Sequence, residues 1–136
     1  MRGYFYMCVE AGKRMRKQQS GSIIINVASV NGVTPGDKQA VHSITKAGVI
    51  NMSRAFANEC GRFNMRVNTL VPGLTKTKFA QALHDDAEFL ELALMRTPLK
   101  RSAEPDELAA TALDLAFDAS SYSTGSTITV DGGFTA

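Results

Sequence analysis

The chain has 136 residues, 44% hydrophobic and 21% charged, which is the balance of one ordinary globular domain. A net charge of +2 is too small to argue for a nucleic-acid partner, and no apolar run reaches the ~20 residues that a membrane helix needs. Cys8 and Cys60 stand too far apart for a metal motif; they fall on apolar helical faces as core or interface thiols, and a cytoplasmic location is the expectation.

Tyr4 to Lys17 predicts a helix, ended by Gln18-Gln19-Ser20-Gly21. Its basic end, Lys13, Arg14, Arg16 and Lys17, complements a helix carboxyl terminus and stays solvated. No aromatic residues interleave that cluster as a stacking platform requires. The basic residues follow the apolar ones, the wrong polarity for a signal peptide. Met1-Arg2-Gly3-Tyr4-Phe5-Tyr6-Met7 reads as the interior of a helix with no cap before it. The expectation is therefore a piece of a longer parent.

Ser22 to Ala28 predicts a buried strand through Ile23-Ile24-Ile25, and Val30 to Lys38 a loop carrying Gly32, Pro35 and Gly36. Gln39 to Arg62 predicts a long helix, with Val41, Ile44, Val49, Met52, Phe56 and Cys60 as its apolar positions. Met65 to Val71 is a second strand, stopped by Pro72-Gly73. Lys78 to Arg96 gives one or two helices over the active side. Glu104-Pro105-Asp106-Glu107 starts another helix, with proline in the first turn and acids at its positive end. That helix runs to about Asp118, and Ser126 to Val130 is the last strand. Strands alternating with helices imply a parallel sheet with crossover helices.

In such sheets functional groups gather past the carboxyl ends of the strands. Ser29, Pro72-Gly73 and Asp131-Gly132-Gly133 each follow a predicted strand and would share one sheet edge. His42 and Lys46, four apart, lie on one helix face. A hydroxyl at a strand end beside a basic pair can handle a proton. Each residue has a plain alternative. Ser29 can cap a turn, Lys46 can be a solvated helix lysine, and Pro72-Gly73 can simply end a strand. Asp131-Gly132-Gly133 reads as a structural turn. His84 reads as a surface helix residue, and its acidic neighbours Asp85 and Asp86 lack the spacing of a metal site.

Asn26-Val27-Ala28-Ser29-Val30-Asn31-Gly32, Ser43-Ile44-Thr45-Lys46-Ala47-Gly48, Asn68-Thr69-Leu70-Val71-Pro72-Gly73 and Val130-Asp131-Gly132-Gly133 follow in that order. Together they resemble the back half of the short-chain dehydrogenase/reductase family. That family reads Ser, twelve residues, Tyr, three residues, Lys; here the tyrosine position is His42. The resemblance implies one partial domain over residues 1–136. Its fold class is α/β, three-layered and Rossmann-like, holding the last three strands of a parallel sheet with flanking helices. The first of those strands would be an unpaired apolar edge.

The resemblance also implies an NAD- or NADP-dependent oxidoreductase acting on a small secondary alcohol or ketone. Ser29 would hold the substrate oxygen, the residue at 42 would move the proton, and Lys46 would hold the nicotinamide ribose. Pro72, Gly73, the backbone of Leu74 and Thr77 match the family's Pro-Gly-x-x-x-Thr segment against the cofactor. No metal is implied. The family's Gly-x-x-x-Gly-x-Gly phosphate loop has no counterpart here, and its catalytic asparagine would fall just before Met1. Histidine stops roughly 2 Å short of a tyrosine hydroxyl, and a misplacement of ~1 Å can cost ~100-fold in rate. It is still a competent acid or base near neutral pH, through a bridging water. Two readings follow: an impaired oxidoreductase, or an inactive module that assembles with itself through the helices Tyr4 to Lys17 and Gln39 to Arg62.

Overall fold

The computed structural model describes residues 1–18 and 21–136; the helix stop expected at Gln19-Ser20 lies outside the described residues. The elements run α1 (Arg2–Gln18), β1 (Ser22–Val27), α2 (Ala40–Cys60), β2 (Met65–Pro72), α3 (Gln81–Asp85), α4 (Ala87–Arg96), α5 (Pro105–Ala116) and β3 (Thr127–Val130). Short 3₁₀ turns cover Val30–Gly32, Gly61–Phe63, Lys78–Ala80 and Asp118–Ser120. Of the one or two helices expected from Lys78 to Arg96, two form: Thr77 caps the 3₁₀ turn that leads into α3, and Asp86 caps α4, their side chains accepting from the Ala80 and Phe89 amides.

The sheet has the order β1-β2-β3, and both pairings are parallel. Ser22 lies opposite Met65 and Val27 opposite Leu70; Thr69 lies opposite Thr127 and Pro72 opposite Val130. β2 is central, and Val67, Asn68, Thr69, Leu70 and Val71 are all buried. The strand is covered on both faces, and the buried Asn68 amide is satisfied by donating to the Ser123 carbonyl and accepting from the Ser126 amide. Alternation of side chains assigns the two faces. Asn26 reaches Cys8 of α1 and Ser53 of α2, and Val71 packs with Val49 and Ile50 of α2. On the opposite face Arg66 donates to the carbonyls of Leu115 and Phe117 past α5. The result is three layers: α1 and α2, the sheet, and α5.

β1 is paired on one side only. It is the free edge, although Ile23, Ile24 and Ile25 are half-buried rather than open, being held between the helical layers. Two expected core positions are corrected. Val41 is 80% exposed and Ile44 73% exposed. The buried side of α2 is formed by Ser43, Val49, Ile50, Met52, Ser53 and Ala57. Small side chains let the helix lie close to the sheet, and the bulky pair at its start faces outward.

Close approach also fixes the loop beside α2. A Cβ on Gly32 would stand 2.7 Å from the Lys46 carbonyl carbon, so this turn can meet the α2 backbone only at a glycine. The loop is tied down again where the Gly36 amide donates to Ser43 Oγ at 3.2 Å.

Candidate active site

Three strand ends and the first turns of α2 converge at one edge of the sheet, as parallel topology requires. Ser29 lies two residues beyond β1 with extended backbone, and it caps the 3₁₀ turn that follows. Its Oγ accepts from the Asn31 amide at 3.2 Å. Ser29 thus caps a turn, its plain alternative, and the cap leaves the hydroxyl hydrogen without an acceptor among the described residues.

Lys46 projects from the second turn of α2 back to the end of β1. Its Nζ donates to the Val27 carbonyl at 3.0 Å and to the Tyr4 hydroxyl at 3.1 Å. The Tyr4 hydroxyl in turn donates to the same carbonyl at 2.8 Å. Lys46 is therefore no free surface lysine. An ammonium has three hydrogens, and one remains beyond these two bonds.

His42 lies one turn earlier on α2 and is half-buried. Burial is the larger cause that lowers its pKa, and the charge of Lys46 adds to it. The imidazole is consequently neutral at pH 7. In the unfolded chain it regains its ordinary affinity, so lowering the pH through 6.5 protonates the unfolded state first. His42 thus costs stability on the acid side and none above. An NMR titration of its ring protons should give a midpoint below 6.5, and Lys46→Met should recover only part of the shift because burial is the larger cause. A midpoint at or above the ordinary value would contradict this account.

Pro72 ends β2, and the Gly73 amide donates to the Val130 carbonyl at 2.9 Å. A Cβ on Gly73 would lie 2.7 Å from Asp131 Cα, so glycine is needed for the ends of β2 and β3 to meet. The Leu74 carbonyl accepts from the Ala103 amide at 2.9 Å. Thr77 Oγ1 accepts from the Ala80 amide at 3.2 Å, which leaves its hydroxyl hydrogen to donate. Asp131 accepts from the amides of Gly133 and Thr135 and from the Thr135 hydroxyl. Its carboxylate is spent within its own turn, as the structural reading expects.

His84 lies on α3, as expected of a helix residue, and is part-buried. Its ring bridges Ala80 O at 3.0 Å and Ser102 Oγ at 3.1 Å, so it ties α3 to the segment before α5. It also lines a hollow of about 310 Å³ with Lys76, Thr77, Lys78 and Gln81. A second hollow of about 470 Å³ runs along α4 past Leu90, Leu94 and Met95. Nearby, Phe79 is 93% exposed and Leu92 55% exposed. No group of three or more potential metal-binding side chains occurs among the described residues.

Sequence reasoning missed Tyr4. It is 42 residues from Lys46 in the chain, beyond any local spacing signal. Only the packing of α1 beside α2 brings the two together.

Comparison with known proteins places this geometry in context. The family model for enoyl-(acyl carrier protein) reductases matches residues 1–135. A 3-oxoacyl-[acyl-carrier-protein] reductase of Thermotoga maritima is 41% identical over 98% of this chain and 53% of its own length. An L-rhamnose 1-dehydrogenase (NAD(P)(+)) of Azotobacter vinelandii is 34% identical over 98% and 52%. A solved gluconate 5-dehydrogenase of Burkholderia cenocepacia, in complex with NADP and tartrate, superimposes with a TM-score of 0.94. It is 32% identical, over 99% of this chain and 52% of that one. The chain spans about half the length of the relatives it matches.

Proposed function

We propose, proceeding from the fact that this chain belongs to the short-chain dehydrogenase/reductase family, that it is one partial domain, the carboxyl-terminal half of an NAD(P)-dependent oxidoreductase. Its substrate class is a secondary alcohol or ketone. What supports this reading is that Ser29 and Gly73 follow β1 and β2 at the strand carboxyl ends, with Lys46 bonded to the end of β1 and His42 one turn before it on α2.

The residues present fit the nicotinamide end of a dinucleotide. Ser29 and Thr77 each keep a hydroxyl hydrogen, Lys46 keeps one ammonium hydrogen, and Gly73 leaves the strand end without a side chain. Nothing in residues 1–136 supplies a glycine-rich phosphate cradle. When bound, the dinucleotide supplies or accepts the hydride. Ser29 orients the substrate oxygen. Neutral His42 accepts an alcohol proton through a water, since its ring is shorter than the tyrosine that the family places there. Lys46 holds the ribose.

Isothermal titration with NADH and NADPH tests this reading. The 136-residue chain alone should bind weakly or not at all. Joined behind the amino-terminal half of the Thermotoga reductase, it should bind at micromolar level and oxidise a secondary alcohol. A joined chain that folds and still fails to bind either dinucleotide would overturn the oxidoreductase reading. It would favour the second one, an interaction module, which the outward apolar residues of α1 and α2 support.

A further inference from the structure

The loop that follows Ser29 is built around one pair of amides. Asn31 and Gln39 are both half-buried, and Asn31 Nδ2 donates to Gln39 Oε1 at 2.5 Å. Three local features serve that contact. Lys38 has a φ of 54°, a left-handed backbone that a lysine adopts at a cost, and it turns the chain just before Gln39. Gln39 occupies the cap position of α2, yet its side chain makes no cap bond; the bond that a polar residue commonly makes there is given up for Asn31. A Cβ on Gly36 would stand 2.9 Å from Asn31 Nδ2, so a side chain at 36 would displace the Asn31 amide.

Asn31 is also joined to the site. Its backbone amide donates to Ser29 Oγ at 3.2 Å, and Gln39 stands three residues before His42. An amide that donates to a hydroxyl oxygen turns the hydroxyl hydrogen away from itself. It thereby selects among the staggered positions open to the serine. We propose that Asn31 is the positioning residue of Ser29, latched by Gln39, so that the loop and α2 keep Ser29 and His42 in fixed register. The inference rests on the oxidoreductase reading, in which Ser29 orients the substrate oxygen. Asn31 acts through the Ser29 hydroxyl and not on the substrate.

Hydrogen exchange followed by NMR on the 136-residue chain reads the latch without any dinucleotide. Asn31→Leu removes the bond. Gly36→Ala, at a position outside the left-handed region, displaces the Asn31 amide and removes no bonding group. Both should speed exchange of the Asn31 backbone amide about tenfold, within the range for one lost hydrogen bond, and leave that of Val49, fully buried in α2, unchanged. Asn31→Asp should stay near the unsubstituted chain, since its carboxylate accepts from a turned-over Gln39 amide. In the chain joined to an amino-terminal half, Asn31→Leu and Gly36→Ala should lower kcat about tenfold and leave dinucleotide affinity unchanged. That lies between roughly threefold for a serine freed among three staggered positions and ~100-fold for a misplacement of ~1 Å. Equal acceleration at Val49 would show lost stability alone and overturn the proposal. An Asn31 amide indifferent to both variants, or an active joined chain whose kcat ignores them, would overturn it too. An unsubstituted joined chain without turnover would instead bring down the oxidoreductase reading, and this inference with it.

Discussion

The purified 136-residue chain is expected to run as a dimer or larger species at micromolar concentration. Two features drive this. β1 is a free edge, and its unpaired amides and carbonyls are a template for another strand. Its carboxyl end alone is covered, where Tyr4 and Lys46 bond Val27 O. Beside that edge, α1 and α2 turn Phe5, Tyr6, Met7, Val41 and Ile44 outward, at 48%, 54%, 71%, 80% and 73% exposure. Burial contributes ~25 cal/mol per Å² of apolar surface, and a stable interface covers about 800 Å² on each partner. Association at such a surface adds to a net folding stability of only about 5–15 kcal/mol, so the associated form should also melt at higher temperature as concentration rises. Size exclusion with light scattering decides the matter. A monomer that melts cooperatively, with no dependence on concentration, would show that the edge and the outward residues are stable in water as they stand.

His42→Tyr is expected to leave the 136-residue chain without measurable dehydrogenase turnover. The substitution restores a phenol at the family position, but no cradle for the dinucleotide phosphates comes with it. In the chain joined to an amino-terminal half, the same change should raise turnover by about 100-fold, since an error of ~1 Å in a reacting group already costs that much. The pH profile should change with it. With His42, alcohol oxidation should fall only below pH 6.5, because burial and Lys46 keep the imidazole neutral above that value. Turnover near ~1 per second from the short chain carrying tyrosine, an ordinary enzyme rate, would mean that residues 1–136 hold the dinucleotide by themselves.

Much of this molecule is local in origin, and that part is legible in the sequence. The apolar run Ile23-Ile24-Ile25, the Pro105 helix start and the Pro72-Gly73 stop depend on neighbours a few residues away. The predicted strands and helices accordingly coincide with β1, α5 and the end of β2 to within a residue or two. The order of motifs likewise places Ser29, Lys46 and Gly73 at one sheet edge, because a parallel sheet has only one such edge.

What the tertiary structure decided is which face of each element meets which partner. Val41 and Ile44 fit a helical apolar stripe, yet they point outward because small residues, Ser43, Ser53 and Ala57, are what allow α2 to approach the sheet. His84 has no sequence signal for its bond to Ser102, 18 residues away. Tyr4 reads as an ordinary helix residue until α1 is laid beside α2. Hydrogen bonds between distant elements follow from packing distance, which no local spacing encodes; the pairing of Tyr4 with Lys46 therefore exists only in the folded chain.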